Sequence, residues 1–238
     1  MDLLLKNAHF FLNGILQTFI LAGMTLFFAT IISVIFGTMA ATRYRVLHVV
    51  SRVYVEFFRD IPLLVNVLFV YFGAPLIGIS LSPFAAATVS FSVWGGANGA
   101  EIVRGGLNSV SRHQHMSAMA LGLKPWEKFW YIIGPQALLP IIPPFTGLFS
   151  LLIQATSLAS MVGAMEFFRR AQIVVERTTL REGYSPAFLV YGFVLLIYFI
   201  ICASLAFLTK RLEKKLTLRW SSRSAAAPVI DLRVEESI

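Results

Sequence analysis

The sequence predicts an all-α integral membrane protein with five transmembrane helices, its N-terminus outside and its C-terminus in the cytoplasm. Three observations carry that reading. Hydrophobic residues make up 57% of the 238 residues, charged residues only 13%, and mean hydropathy is +0.75; a soluble domain carries about a quarter charged residues. The charges are also segregated, with no Asp, Glu, Lys or Arg over residues 7–42, 61–100, 129–165 or 183–209. Finally, with the N-terminus outside, fifteen of the 20 Lys and Arg residues fall on the inner side, leaving only Lys6, Arg169, Arg170, Arg177 and Arg181 outside, as the bias of cytoplasmic loops toward basic residues requires. The net charge of +8 is therefore a topology signal. Nucleic-acid binding does not account for basic residues scattered over several loops rather than gathered on one face.

About 20 mostly apolar residues cross about 30 Å of hydrocarbon, which places spans at about 14–38, 61–79, 84–102, 138–158 and 186–208. The first carries Gly14, Thr18, Gly23, Thr25, Thr30, Ser33 and Gly37. The four-residue spacings Gly14/Thr18 and Ser33/Gly37 suit close backbone approach by a neighbour, although Gly and Thr are common in such helices in any case. A basic inner loop, 41–60, follows. Asp60 is placed to cap the second span, Pro62 to occupy its first turn and Glu56 to pair with Arg59. Gly73-Ala-Pro75 through Ser82-Pro83 forms the turn that divides the long apolar block 61–100.

The loop 105–136 carries internal helical signals. Met116, Met119, Ala120 and Leu123 repeat at three- or four-residue spacing, Gly122 can close that short helix in the left-handed conformation, and Pro125 opens another with Trp126, Phe129 and Trp130. Two short helices bearing Met and aromatic side chains fit a groove on another protein better than they fit a bare membrane surface. Pro140, Pro143 and Pro144 disturb the start of the fourth span, and irregular backbone at that depth needs protein or water around it. The outer segment 160–185 has an apolar side, Phe167, Phe168, Ile173, Val174 and Val175, which fits a helix against the outer mouth or a solvated loop. Residues 1–216 form one domain, and 217–238 read as a disordered cytoplasmic tail.

The chemistry excluded is as informative. The chain has no phosphate-binding loop of the Gly-x-x-x-x-Gly-Lys-Ser/Thr type, and no charge at a span centre that could relay protons. His113 and His115 lack a third ligand at metal-site spacing, and the lone Cys202 forms no disulfide within the chain. No cofactor and no catalytic residue is expected. The polar groups in or beside spans include Glu101, Gln154, Thr156 and Ser157, candidates for a solute path. Each could instead join helices, at about 0.6–2 kcal/mol.

Leu121-Gly122 followed by Pro135-Gln136-Ala137 resembles the EAA loop of permease subunits of bacterial ATP-binding cassette importers. Tyr54–Val65, Tyr71-Phe72-Gly73, Glu101-Ile-Val-Arg104-Gly-Gly-Leu, Thr156-Ser157-Leu158-Ala159-Ser160 and Glu166-Phe-Phe-Arg169 extend the match to about Lys215 and resemble its polar amino-acid branch. The resemblance implies a multi-pass inner-membrane permease of type I importer architecture, paired with a second, non-identical permease subunit. It implies a separate ATPase subunit that binds ATP and Mg, and a periplasmic solute-binding protein. It assigns Arg112, Met116, Ser117, Ala118, Gly122, Pro125, Trp126 and Pro135 to the ATPase-coupling loop. Two departures stand out. Met116-Ser117-Ala118 replaces the usual Glu-Ala-Ala, and Gln154-Ala155-Thr156-Ser157 replaces Lys-Asp-Thr-Ser. The lost carboxylate beside the path, with Arg169 and Arg170 outside, points to an acidic solute. The competing classes are another polar amino acid, a membrane-embedded enzyme or assembly factor, and an ion-driven carrier, which lacks its mid-membrane charge.

Overall fold

The computed structural model describes residues 2–225, and every regular element among them is helical. A turn of helix, α1 (Asp2–Lys6), precedes α2 (Ala8–Ala41). Then come α3 (Arg45–Asp60), α4 (Leu63–Gly73) with a 3₁₀ turn at Ala74–Ile77, and α5 (Pro83–Asn108). Two short helices, α6 (Arg112–Ala120) and α7 (Pro125–Lys128), lead through a π-helical turn at Phe129–Ile133 into α8 (Gly134–Ala155). A 3₁₀ segment (Thr156–Val162), α9 (Phe167–Glu182) and α10 (Ala187–Ala225) complete the chain.

Three stretches are long and apolar enough to cross a membrane: Ala8–Ala41, the near-continuous helix Pro125–Val162, and Ala187–Arg211. A fourth exists if α3 and Leu63–Ile77, bent by 100° at a short break, make one interrupted span. Helix α5 has the length, at 26 residues, but its Gly, Ser, Thr, Asn and Glu dilute its apolar character. It is nonetheless the centre of the bundle.

Close approach explains that composition. On α2, Gly14, Thr18, Thr25, Ser33 and Gly37 are buried. A Cβ on Gly37 would lie 2.5 Å from the Val103 side chain, and one on Gly99 would collide with Ser33. The expected small-residue contacts therefore exist but face two neighbours, Ser33 and Gly37 meeting α5 and Gly14 and Thr18 meeting the start of α9, as packing in lipid favours. Ser33 Oγ donates to Ala29 O at 2.6 Å, so its burial leaves no donor orphaned. Leu21, Val67, Phe91 and Leu152 form the core where α2, α4, α5 and α8 meet. At one end a second cluster joins Phe11, Phe167, Val174, Val190 and Val194 of α2, α9 and α10. At the other, Val103, Leu107, Ile133, Ala137 and Phe145 lock α5 to α8.

The expected inner loop 41–60 is instead mostly helix. α3 has three faces, which is why it reads as a basic loop in one dimension. Ser51 and Val55 are buried; Arg45, Arg52, Glu56 and Arg59 form a charged face; Val46, Val50, Val53 and Phe57 form an exposed apolar one. Ser51 Oγ donates to Phe36 O at 2.7 Å, and Tyr54 Oη donates to Val93 O at 2.6 Å, pinning α3 to α2 and α5. Glu56 pairs with Arg52, four residues back, at 2.8 Å, rather than with Arg59. Asp60 ends α3, and Pro62 stands at the N-cap of α4 without a side-chain cap. The fourth apolar stretch begins near Pro125, before the expected 138, and residues 105–108 belong to α5. Helix α10 runs through Ala225, so 217–225 are helical where a tail was expected; 226–238 lie outside the described residues.

Candidate coupling surface and translocation path

The turn between α6 and α7 is built by local chemistry. Ser111 caps α6, its hydroxyl accepting from Gln114 N at 3.5 Å. At the far end Leu123 N donates to Ala118 O at 3.2 Å and Gly122 N to Met119 O at 3.0 Å. That paired closure places Gly122 at φ +71°, the left-handed conformation that glycine adopts without a Cβ penalty. A Cβ there would meet nothing within 4 Å, so backbone conformation rather than crowding selects glycine. Pro125 opens α7, and the Glu127 carboxylate accepts from Lys124 N at 2.7 Å. Gln136 Nε2 donates to Gln114 Oε1 at 3.3 Å, tying α6 directly to α8.

These caps fix which side chains face outward. Ala118 is buried, with Gln114 and His115 half-buried on the same side. Met116, Met119, Leu121, Trp126 and Trp130 are all more than half exposed. The predicted apolar side of α6 thus turns away from the bundle. Arg112 and Pro125 are exposed, Ser117 and Pro135 half-buried. Burial, with Lys128 and Arg43 nearby, holds the His115 imidazole below its usual range.

The path candidates divide between two places. Gln154 and Ser157 line a cavity of about 290 Å³ with Phe168, Tyr191 and Tyr198, and buried Thr156 lies within 3.3 Å of Tyr198 Oη. Glu101 is not part of that group. It forms a bidentate pair with Arg104, at 2.6 and 3.1 Å, near Arg52 and Arg59 on the charged face of α3.

One feature escaped the sequence reading, and a second was read only in part. Glu166, 1% exposed, caps α9 by accepting from Phe168 N at 2.8 Å and Arg169 N at 2.7 Å. It also accepts from Tyr198 Oη at 3.1 Å and Thr18 Oγ1 at 3.3 Å, so one carboxylate clasps α2, α9 and α10. The N-cap position before Phe167 was the readable signal; the long-range partners were not. The second is the exposed face of α8, Pro140, Pro143, Pro144, Gly147, Leu151 and Gln154. Proline lacks an N–H, so the three prolines leave the carbonyls of Gln136, Leu139 and Pro140 without helical donors on this face. Hydrocarbon cannot satisfy those acceptors.

An outward apolar ridge on a rigid turn, joined to a helix whose free carbonyls demand protein or water, defines a multi-pass membrane component that works in an assembly. Residues 33–218 match the family described as the inner membrane component of binding-protein-dependent transport systems, and the chain belongs to that family. It is 32% identical, over 89% of its length and 96% of the relative's, to the probable glutamine ABC transporter permease protein GlnP of Bacillus subtilis. It is 31% identical to the probable GlnM permease of the same organism, over 90% of this chain and 98% of that one. The fold superposes on that of a crystal structure of an amino acid ABC transporter with histidines, with a TM-score of 0.79, covering 89% of this chain and 96% of that one at 24% identity. The chain is thus a permease component of a binding-protein-dependent ABC transport system of the inner membrane, similar to amino-acid permeases.

Proposed function

We propose that this permease moves a polar amino acid through a path bordered by the proline-bearing face of α8, with Gln154 and Ser157 at one end and the Glu101–Arg104 pair at the other. Five spans form it, α5 being the fifth: its 26 residues reach about 39 Å, and its small residues serve packing. The N-terminus lies outside and the C-terminus inside, as the basic residues favour. A separate ATPase subunit that binds ATP and Mg docks on α6 and α7, and a periplasmic solute-binding protein delivers the solute to the opposite side. A second, non-identical permease covers the free carbonyls of α8; that relatives in one organism carry the two names GlnP and GlnM supports a pair of different chains.

The observation that carries the reading is the exposed ridge of Met116, Met119, Leu121 and Trp126, held rigid by the Gly122 closure and tied to α8 through Gln114–Gln136. Apolar contact replaces the acidic anchor that Met116 lacks. The expected acidic solute gains no support. Arg169 is engaged by Gln172 and Glu176, and Arg170 by Met165 O, Phe10 O and the Phe10 ring. Part of each guanidinium is thus already committed within the chain, and the relatives named above are glutamine permeases. A neutral polar amino acid is the better reading. Purification from native membrane tests it: a nucleotide-binding subunit co-purifies, and uptake in reconstituted vesicles is competed by glutamine-like solutes more strongly than by glutamate. Repeated isolation without an ATPase, or competition by glutamate alone, defeats it.

A further inference from the structure

Helices α2 and α10 meet at one end, where the rings of Phe11, Phe167 and Phe193 interlock with centroids 5.5–6.1 Å apart. They diverge toward the end that carries α6 and α7. Between them lies an apolar groove of about 620 Å³, walled by Val34 of α2 and Leu205 of α10 and floored by Val103, Ile141 and Phe145 of α5 and α8. Four threonines also line it. Each hydroxyl is spent on its own helix: Thr30, Thr38, Thr146 and Thr209 donate to the carbonyl four residues back at 2.7, 2.6, 3.0 and 3.0 Å. The face of α8 turned to the groove is Pro135 in its first turn, then Leu138, Ile141, Ile142 and Phe145, away from Pro140, Pro143 and Pro144 and their free carbonyls. Hydrocarbon can therefore fill it at no cost in lost hydrogen bonds. From Thr30 to Thr38 the groove runs about 12 Å, close to the ~15 Å depth of one leaflet.

The mouth has different chemistry. Trp130 lines it and is 67% exposed, the position that interfacial indoles favour. Lys128 adjoins the lining residue Phe129, Lys210 follows the lining residue Thr209, and Arg43 stands with Lys128 around His115. Cations from three elements thus lie within five residues of lining residues at that end of the groove: Lys128 beside Phe129, Lys210 beside Thr209, and Arg43 beyond Thr38. An anionic phospholipid matches both parts, chain to groove and phosphate to cations.

We propose that the groove between α2 and α10 is a binding site for an anionic phospholipid of the leaflet on the α6–α7 side, its phosphate held by Lys128, Lys210 and Arg43. Because Phe129, Trp130 and Gly134 line the same groove, the lipid braces the π-helical turn through which α7 continues into α8. The full chain in nanodiscs of equal phosphatidylglycerol and phosphatidylcholine, extracted into detergent and weighed by native mass spectrometry, tests this. The wild type retains phosphatidylglycerol in preference to phosphatidylcholine. Lys128→Gln and Lys210→Gln each weaken that preference about fivefold and leave phosphatidylcholine retention unchanged, whereas Leu205→Trp, which fills the groove, lowers retention of both. Undiminished phosphatidylglycerol retention in the double lysine variant overturns the proposal. So does a photo-crosslinker at Leu205→Cys that captures another protein chain rather than lipid.

Discussion

At the scale of single residues, Glu166 illustrates how one side chain can join three helices. Its carboxylate accepts four hydrogen bonds while almost wholly buried. Glu166→Ala removes an N-cap and leaves Thr18 and Tyr198 without that acceptor, so thermal unfolding in detergent should report a loss of about 1–3 kcal/mol. Tyr198→Phe deletes one donor only and should cost about 0.5–1.5 kcal/mol; equal losses in the two variants would contradict the clasp. The sequence exposed Glu166 as part of a resemblance and no more. Thr18 lies 148 positions away, and no periodicity within α9 points to it. By contrast, the four-residue spacings Gly14/Thr18 and Ser33/Gly37 were legible as one of two readings of α2, a face for a neighbour rather than the ordinary small-residue content of such helices.

Among the elements, the α6–α7 turn was almost fully legible. Gly122, Pro125 and the Met spacing encode local geometry, and local geometry is what short-range sequence patterns record. Gly122→Val forces a β-branched residue into φ +71°, a strain of roughly 1–3 kcal/mol. Uptake should fall while membrane insertion persists. Gly105→Ala, also free of neighbours within 4 Å but at an ordinary helical angle, should leave both intact. The His115 shift gives a pH signature of defined sign. An imidazole whose folded pKa lies below its ordinary value of 6.5 binds fewer protons folded than unfolded, so stability is present above 6.5 and declines as pH falls below it. Protection factors in α6, taken relative to the intrinsic exchange rate at each pH, should fall as pH drops below 6.5, and His115→Asn should abolish that dependence. Helix α3 was misread for the opposite reason: its three faces serve three different surroundings, and a linear scan averages them into a polar, basic stretch.

For the molecule as a whole, the all-helical fold followed from hydropathy and charge segregation, because the bilayer leaves helices as the only way to satisfy the backbone within each segment. Helix α5 shows where that logic weakens. A helix surrounded by protein needs small residues more than apolar ones. In a Cys202→Ser background, single cysteines at His113 and Leu180 should react with an impermeant thiol reagent from opposite sides of the membrane; labelling from the same side would remove the five-span arrangement. Gly99→Leu should disrupt the α2–α5 contact and cost about 3 kcal/mol, since a Cβ alone already overlaps Ser33. The pairing of α2 and α10 has one more consequence. Fastened at the Glu166 end, they are unequal at the other: Gly37 and Ser33 seat α2 on α5, while α10 walls the open side of the groove. A tilt of ~5° about Tyr198 would move Thr209, about 16 Å along α10, by roughly 1.4 Å.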